Sequence, residues 1–444
     1  MGKEALRSRD TVSDTHRDRL FLLSVIALTT AGMTFGLRGY VMADMAKAFG
    51  LDSAKVGWAV GGEFLAFAIS VFIGSPLCDY LGMGRLLGLS CASFIVGLGM
   101  IVSAPHFITP GTGTALALLY ASWFVAGLGR GLVEAVINPL VATLYPDEKT
   151  HKLNVLHAWW PGGIIIGGVT AYLLRSLPWE ARLATFAIPA LIFGYMLIGE
   201  KFPPTERVQA GVSAGEMIRE AFKPLFIVWF LMMFLTAGME LAPGQWVEAM
   251  LTRMVHFHGI WILIYGSALM FVFRHFAGPL AHKFSPVGLM WLSSLLAGLG
   301  LLAISFANSP VTALVAATIW YVGVCYMWPT MLGVTSERFP RGGALLIGLM
   351  GCAGNLSIQF VLPLMGSVYD SYTQKYLGAI KLSDAVSQSA TNPAIAKALD
   401  AARLQAAPWA FRYVASFGIV LIVVFGIIWL MDKAKGGYKQ VKLT

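Results

Sequence analysis

The chain has 444 residues, of which 57% are hydrophobic and 12% are charged, and its formal net charge is +9. An ordinary soluble domain carries about 25% charged residues, so this composition excludes a soluble globular protein. The basic residues flank long apolar runs. This arrangement is typical of the positive-inside rule of membrane proteins and argues against nucleic-acid binding.

Twelve apolar runs predict twelve transmembrane helices. Each run holds roughly 20 residues, which is the length at which an α-helix crosses the hydrocarbon core of a bilayer. The sequence lacks the alternating ten-residue segments of a membrane β-barrel, so we expect an all-α membrane protein. The predicted spans are residues 20–42, 56–78, 84–104, 114–144, 154–175, 181–199, 224–250, 258–281, 287–306, 310–335, 342–367 and 409–431.

The location of the two termini follows from the loops. The first span follows a charged leader (residues 1–19) and precedes no small-residue cleavage site, so we expect a retained helix and not a signal peptide. Twelve spans place both termini on one side of the membrane. The loops on that side hold roughly twice as many Lys and Arg residues as the opposite loops. The sequence therefore predicts an integral protein of the cytoplasmic membrane with both termini in the cytoplasm.

Three short matches in the same order indicate an internal repeat. Residues 30–33 recur at 236–239, residues 76–80 resemble 279–283, and residues 123–139 resemble 320–329. Such self-similarity predicts a duplicated architecture of six plus six helices. The expected domains are a leader (1–19), a first bundle (20–199), a cytoplasmic linker with one surface helix (200–223), a second bundle (224–431, including a long outer loop at 370–408) and a cytoplasmic tail (432–444).

The first and fourth spans carry ionisable residues. Arg130 and Glu134 are one turn apart on one helix face. Ionisable groups at bilayer depth are costly and usually face a bundle interior or a water-filled path. We expect Glu134 to accept a proton or to bind substrate, with a permanent ion pair to Arg130 as the alternative. Arg38 in the first span needs a carboxylate or an anionic ligand, and Glu63 is one candidate partner.

The seventh span carries a second candidate carboxylate, Glu240, without a partner close in sequence. Pro243-Gly244 is expected to break this helix beside the site, as in many transporters. Arg274, near the end of the eighth span, is expected to extend to the lipid headgroups.

Amides, a histidine and tryptophans near helix breakers are the candidate substrate ligands, because amides bond to hydroxyls and tryptophan stacks on apolar sugar faces. Interhelical hydrogen bonding and interfacial anchoring are the alternatives. The candidates are Asn138, His157, Trp160, Gln245, Trp246, Trp328, Asn355 and Gln359. The four cysteines have no metal-ligand spacing, so we expect free thiols and no metal or other cofactor.

The end of the second span reads Gly74-Ser-Pro-Leu-Cys-Asp79-Tyr-Leu-Gly82-Met-Gly-Arg85. It resembles the signature between helices 2 and 3 of the major facilitator superfamily, although Tyr80 stands where that signature has arginine. The resemblance implies two six-helix bundles with a central site between them, and an inner gate formed by Asp79, Gly82 and Arg85.

A narrower resemblance is to the fucose, glucose and galactose proton symporter branch. It rests on Glu134-Ala-Val-Ile-Asn138-Pro139, on the segment 152–158, on Glu240-Leu-Ala-Pro-Gly-Gln-Trp246 and on Trp328-Pro-Thr. Two positions depart from it: Gly39 stands where the branch has a helix 1 carboxylate, and Trp160 stands where the permease has an asparagine.

Together these features predict a monomeric secondary transporter that carries a neutral hexose or deoxyhexose with a proton by alternating access. Glu134, Glu240, Arg130 and Arg38 form the predicted coupling set. Symport of a sugar acid or other organic anion on Arg38 and Arg130 remains open, as do sodium coupling and a receptor or enzyme with a transporter-like fold. The expected partners are a small-molecule substrate and the lipid bilayer, with no nucleic acid.

Overall fold

A computed structural model describes residues 13–51, 53–107, 109–255, 259–389 and 391–443. These residues form helices connected by short turns, and the described ranges contain no β-strand. Most of the predicted leader lies outside the described residues. The chain divides into two compact units, one comprising Met1–Met217 and Pro340–Gly348 together with the last two residues, the other comprising Ile218–Phe339 and Leu349–Lys442.

Unit 1 holds the first six predicted spans. Its helices are α1 (Asp14–Phe49), α2 (Ser53–Leu81), α3 (Met83–Ser103), α4 (Gly113–Leu144), α5 (Lys149–Leu173), α6 (Trp179–Ala184), α7 (Ala187–Met196), α8 (Glu206–Gln209) and α9 (Ala214–Glu220), the last ending just inside unit 2. The sixth predicted span is divided into α6 and α7, and the predicted linker contains the two short helices α8 and α9.

Unit 2 holds the last six predicted spans. Its helices are α10 (Pro224–Val255), α11 (Gly259–Arg274), α12 (Ala277–Phe284), α13 (Pro286–Ile304), α14 (Pro310–Val324), α15 (Met327–Arg338), α16 (Gly343–Leu377, beginning in unit 1), α17 (Leu382–Gln388), α18 (Pro393–Ala415) and α19 (Phe417–Ala434). The predicted loop at 370–408 is largely helical, because α16 extends into it and α17 and α18 fill most of the remainder.

Within the described ranges, nine helical stretches are long and apolar enough to cross a membrane, and α11 with α12 makes a tenth across a 64° bend. The two other predicted spans, which correspond to α5 and to α6 with α7, are helical but do not meet that requirement of length and apolarity. Large apolar side chains point outward along the helices, such as Ile73 (52% exposed), Ile188 (61%) and Leu430 (63%). A surface of this kind suits hydrocarbon better than water.

One expected helix break is wrong. The helix α10 runs through Pro243 and Gly244 without interruption. Proline removes one backbone hydrogen bond, but membrane helices tolerate it where neighbouring groups compensate. The break occurs instead in the tenth span, where α14 ends at Val324 and α15 begins at Met327.

Glycines bring the helices of unit 1 into close contact. A Cβ atom added at Gly163 in α5 would lie 2.4 Å from the Thr29 carbonyl oxygen in α1. One added at Gly127 in α4 would lie 2.4 Å from the Glu63 carbonyl oxygen in α2. Small residues let membrane helices approach until their backbones touch. The α2–α4 contact is what brings the buried side chains of these two helices together.

Candidate functional site

Unit 1 contains a buried cluster in which two arginines form ion pairs with one glutamate. Glu63 in α2 accepts a hydrogen bond from Nη1 of Arg38 in α1, and its other carboxylate oxygen lies 3.1 Å from Nη1 of Arg130 in α4. The three residues are 1%, 5% and 4% exposed, respectively. Two guanidinium groups therefore share one carboxylate away from water, which leaves this cluster with an excess of positive charge.

Aromatic rings surround the two guanidinium groups. The Arg38 guanidinium carbon is 4.6 Å from the ring centroid of Phe35, and that of Arg130 is 4.9 Å from the ring centroid of Phe67. The Phe64 ring faces both, at 5.7 Å from Arg38 and 5.2 Å from Arg130. Aromatic faces stabilise desolvated cations without neutralising them. The rings therefore stabilise both guanidinium groups without removing their positive charge.

Glu134 lies one turn from Arg130 on α4 and joins a polar network with two of the predicted ligands. Asn138 Nδ2 donates to Glu134 Oε2 over 2.7 Å, and Asn138 Oδ1 is 2.9 Å from Nε2 of His157 in α5. His157 Nε2 lies 3.7 Å from Glu134 Oε2. The helical spacing predicted that Arg130 and Glu134 lie on one face. In the structure Arg130 forms an ion pair with Glu63, and Glu134 lies beside the Asn138 amide and the His157 imidazole.

Trp160, the remaining predicted ligand of unit 1, lies one turn beyond His157 on α5. Its ring centroid is 5.6 Å from that of Phe35, and the side chain is partly exposed. Because Phe35 also faces Arg38, the indole lies next to the aromatic lining of the arginine cluster.

Unit 2 contains a second buried ion pair. Arg274 at the end of α11 donates from Nη2 to Glu240 Oε1 in α10 over 3.0 Å, and from Nε to the Cys325 carbonyl oxygen over 2.7 Å. Arg274 is 1% exposed, so the expectation that it extends to the headgroups is wrong. Its guanidinium stays inside because a carboxylate and a free helix-end carbonyl satisfy it there. This partner of Glu240 is 34 residues away in sequence, and no local pattern signalled it.

The side chains of the other predicted ligands of unit 2, as far as they are described, do not form one network with Glu240. Trp328 is 8% exposed and packs on Gly354, whereas the Trp246 ring lies 5.7 Å from that of Tyr369. Asn355 is buried and donates to the Gly351 carbonyl within its own helix over 3.2 Å. Gln359, one turn later on α16, is exposed. Gln245 belongs to α10, and its side chain lies outside the described part of the structure.

The predicted gate residues lie where α2 meets α3. Gly82 has φ +85° at the start of α3, a conformation that favours glycine. The Asp79 side chain is 2% exposed, and it accepts hydrogen bonds from Thr205 Oγ1 over 2.5 Å and from Arg207 Nε over 3.0 Å. Arg85 is exposed. Arg207, which the sequence did not single out, thus supplies Asp79 with a basic partner from the linker.

The linker also contacts the segment Pro340–Gly348 of unit 1. The Arg207 side chain lies 3.1 Å from the position that a Cβ atom would take at Gly343, where φ is +48°. Arg341 Nη1 lies 3.0 Å from Oε1 of Glu216 in α9. The pKa of Glu216 is lowered by hydrogen bonds from the Ser213 backbone and hydroxyl, and to a smaller extent by Arg341. One short stretch of linker therefore connects the end of α2 with the start of α16.

The helices and buried charges define a multi-pass integral membrane protein of the all-α class. A sequence profile of the Major Facilitator Superfamily matches residues 23–361, and the chain belongs to that family. Family and fold indicate a transporter rather than an enzyme.

Two curated proteins illustrate the range of relatives. The cis,cis-muconate transport protein of Acinetobacter baylyi is 25% identical over 391 residues, covering 79% of this chain and 91% of that protein. The sodium-dependent glucose transporter 1 of Rattus norvegicus is 26% identical over 180 residues, covering 40% of this chain and 34% of that protein.

Solved structures share the fold at low sequence identity. The proton:xylose symporter XylE is 13% identical with a TM-score of 0.68, covering 93% of this chain and 96% of that one. The Escherichia coli fucose:proton symporter FucP is 15% identical with a TM-score of 0.67, covering 90% and 98%. The human organic anion transporter TETRAN is 14% identical with a TM-score of 0.66, covering 92% and 99%. These likenesses confirm the predicted fold, including its resemblance to sugar symporters.

Proposed function

We propose that this transporter carries a small organic carboxylate together with a proton. The observation that carries the proposal is the sharing of Glu63 by Arg38 and Arg130. Two positive groups and one negative group leave one excess positive charge. Buried arginines are usually balanced by carboxylates or by ligands. An anionic substrate is the ligand that such an unbalanced cluster attracts.

Glu134 supplies the link to the proton. While it is ionised, its charge offsets the excess charge of the arginine cluster one turn away on α4. When it takes up a proton, that offset disappears and the cluster attracts a carboxylate more strongly. Proton binding and anion binding then favour each other, which is the thermodynamic requirement for symport.

Asn138 and His157 would act by orienting Glu134. The Asn138 side chain donates to the Glu134 carboxylate and faces the His157 imidazole through its oxygen. An imidazole at this distance can relay a proton to or from a carboxylate near neutral pH. The muconate transport protein, whose name specifies a carboxylate substrate, supports this class of substrate because the similarity extends over most of both chains.

A neutral monosaccharide is the second candidate. The observation that favours it is the network of Glu134, Asn138 and His157, with the partly exposed Trp160 one turn away. Amide and carboxylate groups beside an aromatic ring are typical of sugar sites. In this alternative the two arginines adjust the proton affinity of the carboxylates and do not contact the substrate. This agrees with their place in the coupling set predicted from the sequence.

The remaining parts of the proposal concern the membrane orientation, the gate, the oligomeric state and the coupling ion. The basic loops support insertion in the cytoplasmic membrane with both termini in the cytoplasm. Asp79, Gly82 and Arg85 would form an inner gate, with Arg207 added to it. We propose function as a monomer working by alternating access, with protons and not sodium as the coupling ion.

The deciding experiment records external pH in a weakly buffered suspension of energy-depleted cells expressing the protein. cis,cis-Muconate, glucuronate and lactate are added singly, followed by xylose, fucose and glucose. The proposal predicts alkalinisation with at least one acid and none with the sugars. The Glu134→Gln variant should abolish the signal, whereas Asp384→Asn on the exposed surface of α17 should not.

Other results point elsewhere. Alkalinisation only with neutral sugars would overturn the carboxylate proposal and favour the monosaccharide. Silence with every compound, in cells where the protein is shown to be in the membrane, would overturn proton symport. Arg38→Gln separates the candidates again, because loss of substrate binding at every pH is expected for an anion and retained binding with altered pH dependence is expected for a sugar.

A further inference from the structure

The chain turns back sharply after the last membrane helix. The helix α19 ends at Ala434, and Gly436 and Gly437 follow with φ +86° and +102°, a conformation that favours glycine. The Gly437 N–H donates to the Asp432 carbonyl oxygen over 2.9 Å, which closes the turn. Residues 438–442 of the predicted cytoplasmic tail therefore return toward the helices of unit 2.

The returning segment is fastened to the end of α15. The Tyr438 hydroxyl donates to Glu337 Oε2 over 2.5 Å, and the Val441 N–H donates to the Glu337 carbonyl oxygen over 2.9 Å. Arg338, the next residue of α15, forms an ion pair with Asp432, and its guanidinium carbon is 4.8 Å from the Tyr438 ring centroid. All of these residues belong to unit 2. The tail is therefore held at both Tyr438 and Val441.

The hydrogen bond between Tyr438 and Glu337 favours the docked position of the tail. Burial raises the pKa of the Tyr438 phenol well above its ordinary value, and the Glu337 carboxylate raises it further, so the hydroxyl keeps the proton that it donates. Glu337 is only 6% exposed. Taking a donor away from a buried carboxylate costs free energy, which opposes release of the tail.

The docked tail leaves its lysines exposed. Glu337 and Asp432, the acidic residues of these contacts, are already engaged by their partners. Among the residues that the structure describes, the tail contains three exposed lysines that form no ion pair, which we call the tail surface: Lys433, Lys435 and Lys439. The tail surface therefore carries positive charge that nothing in its own unit neutralises.

Aromatic rings indicate that the tail surface lies at the level of the lipid headgroups. Lys433 Nζ is 4.0 Å from a ring centroid of Trp429 in α19, and this indole stacks on that of Trp291 in α13 with centroids 5.7 Å apart. Tryptophan is enriched where a membrane meets water, and lysine extends its ammonium group to the same level. The apolar stretch that ends with α19 also stops at Ala434, directly before the other two lysines.

We propose that the tail surface binds the phosphate groups of anionic phospholipids, and that the contact of Tyr438 with Glu337 positions its lysines for this. A lysine close to an anionic membrane surface strengthens binding roughly fivefold, so three held together would strengthen it about 100-fold. In the proposed orientation the lipids belong to the cytoplasmic leaflet. The inference concerns a lipid partner and does not depend on which substrate is transported.

The test measures lipid binding to the purified protein in a neutral detergent. Phosphatidylglycerol is added in steps, and the melting temperature is followed by tryptophan fluorescence. The concentration that gives half of the full stabilisation should rise about 100-fold when the whole tail surface is replaced, as Lys433→Gln with Lys435→Gln and Lys439→Gln. The matched control replaces three exposed lysines of the predicted outer loop and should leave that concentration unchanged: Lys375→Gln with Lys381→Gln and Lys397→Gln.

Tyr438→Phe distinguishes a positioned surface from a loose charged tail, because it removes the hydroxyl and keeps every charge. It should raise the half-maximal concentration of phosphatidylglycerol roughly tenfold, since a hydrogen bond to a charged group contributes about that factor. An unchanged concentration in this variant overturns the positioning role of the contact.

Four other results overturn the inference as a whole. Phosphatidylglycerol does not stabilise the unmodified protein, or it stabilises the tail-surface variant at the same concentration. The outer-loop control loses as much binding as the tail-surface variant. Phosphatidylcholine stabilises as well as phosphatidylglycerol, so that charge has no part in binding. Inorganic phosphate alone stabilises at the same concentration, so that the bound group is a free anion and not a lipid.

Discussion

Replacing Glu63 with glutamine tests the central cluster most directly. The change keeps the size of the side chain but removes the negative charge that Arg38 and Arg130 share. The side chains of Arg38 and Arg130 are only 6% and 5% exposed. Removing one partner of a buried ion pair typically costs about 3–5 kcal/mol, because the remaining charge is left uncompensated. Glutamine still offers one acceptor oxygen, so the lower end of that range is expected.

Such a loss corresponds to a change of about 100-fold in the unfolding equilibrium constant, since every 1.4 kcal/mol is roughly tenfold. The assay is titration of the purified protein with a denaturing detergent, followed by tryptophan fluorescence. Asp14→Asn is the matched control. It makes the same chemical change in the ion pair with Arg17, where the aspartate is 86% exposed, and should cost about 0–1 kcal/mol.

The double variant Glu63→Gln with Arg38→Gln sharpens the test. It removes one of the two orphaned cations, so it should be more stable than Glu63→Gln alone, although it carries one more substitution. If Glu63→Gln costs no more than Asp14→Asn, the carboxylate does not balance two buried cations. If the double variant is less stable than the single one by the full cost of Arg38→Gln, the two residues do not interact, and the reasoning for an unbalanced cluster fails.

Three further predictions concern other parts of the chain. Arg207→Gln should free the linker from Asp79 and accelerate proteolytic cleavage between residues 200 and 223, whereas an unchanged cleavage rate would show that the contact does not hold the linker. Gly163→Val should prevent close packing of α1 on α5 and lower the melting temperature strongly, while Gly168→Ala, whose nearest atom is at an ordinary 3.7 Å, should change it little. Because its hydrogen bonds lower the pKa of Glu216, their stabilising effect is present above the ordinary pKa of glutamate and lost as pH falls through the lowered value. The protection of the α9 amides against hydrogen exchange, taken relative to an unstructured chain at the same pH, should therefore fall as the pH is lowered through that range, and should not change there in Glu216→Gln.

The sequence was sufficient to predict the helices and their approximate order, because a membrane imposes the same length and apolarity on every span. It also located the polar residues that matter in α4, because an ionisable side chain is conspicuous in an apolar helix. Glu134 and Asn138, one turn apart, lie together in the structure as the helical period requires. The helical period is therefore enough to predict a contact when both residues belong to the same helix.

Pairing between helices could not be predicted in the same way. Glu63 is 25 residues from Arg38, and Glu240 is 34 residues from Arg274. Which acid pairs with which base depends on the rotation and depth of each helix. Close glycine contacts fix that rotation and depth, as where Gly127 of α4 packs against the backbone of α2. The interruption in the tenth span was hidden for a related reason, since a proline does not by itself determine where a membrane helix ends.

The pairings between helices explain how this chain can depart from the family signature and still keep its buried charges paired. Tyr80 replaces the arginine that normally follows the signature aspartate, yet Asp79 remains paired because Arg207 reaches it from the linker. A buried carboxylate requires a counter-charge wherever that charge comes from in the sequence.

The same requirement explains why Arg38 can stand beside Gly39 in a helix that lacks the expected carboxylate: Glu63 provides the charge from the neighbouring helix. Because Glu63 provides only one charge for two arginines, the proposal assigns the rest of the balance to Glu134 while it is ionised, and to the substrate carboxylate once Glu134 is protonated. The loss of the helix 1 carboxylate and the proposed preference for an anion are therefore two consequences of the same arrangement of charges.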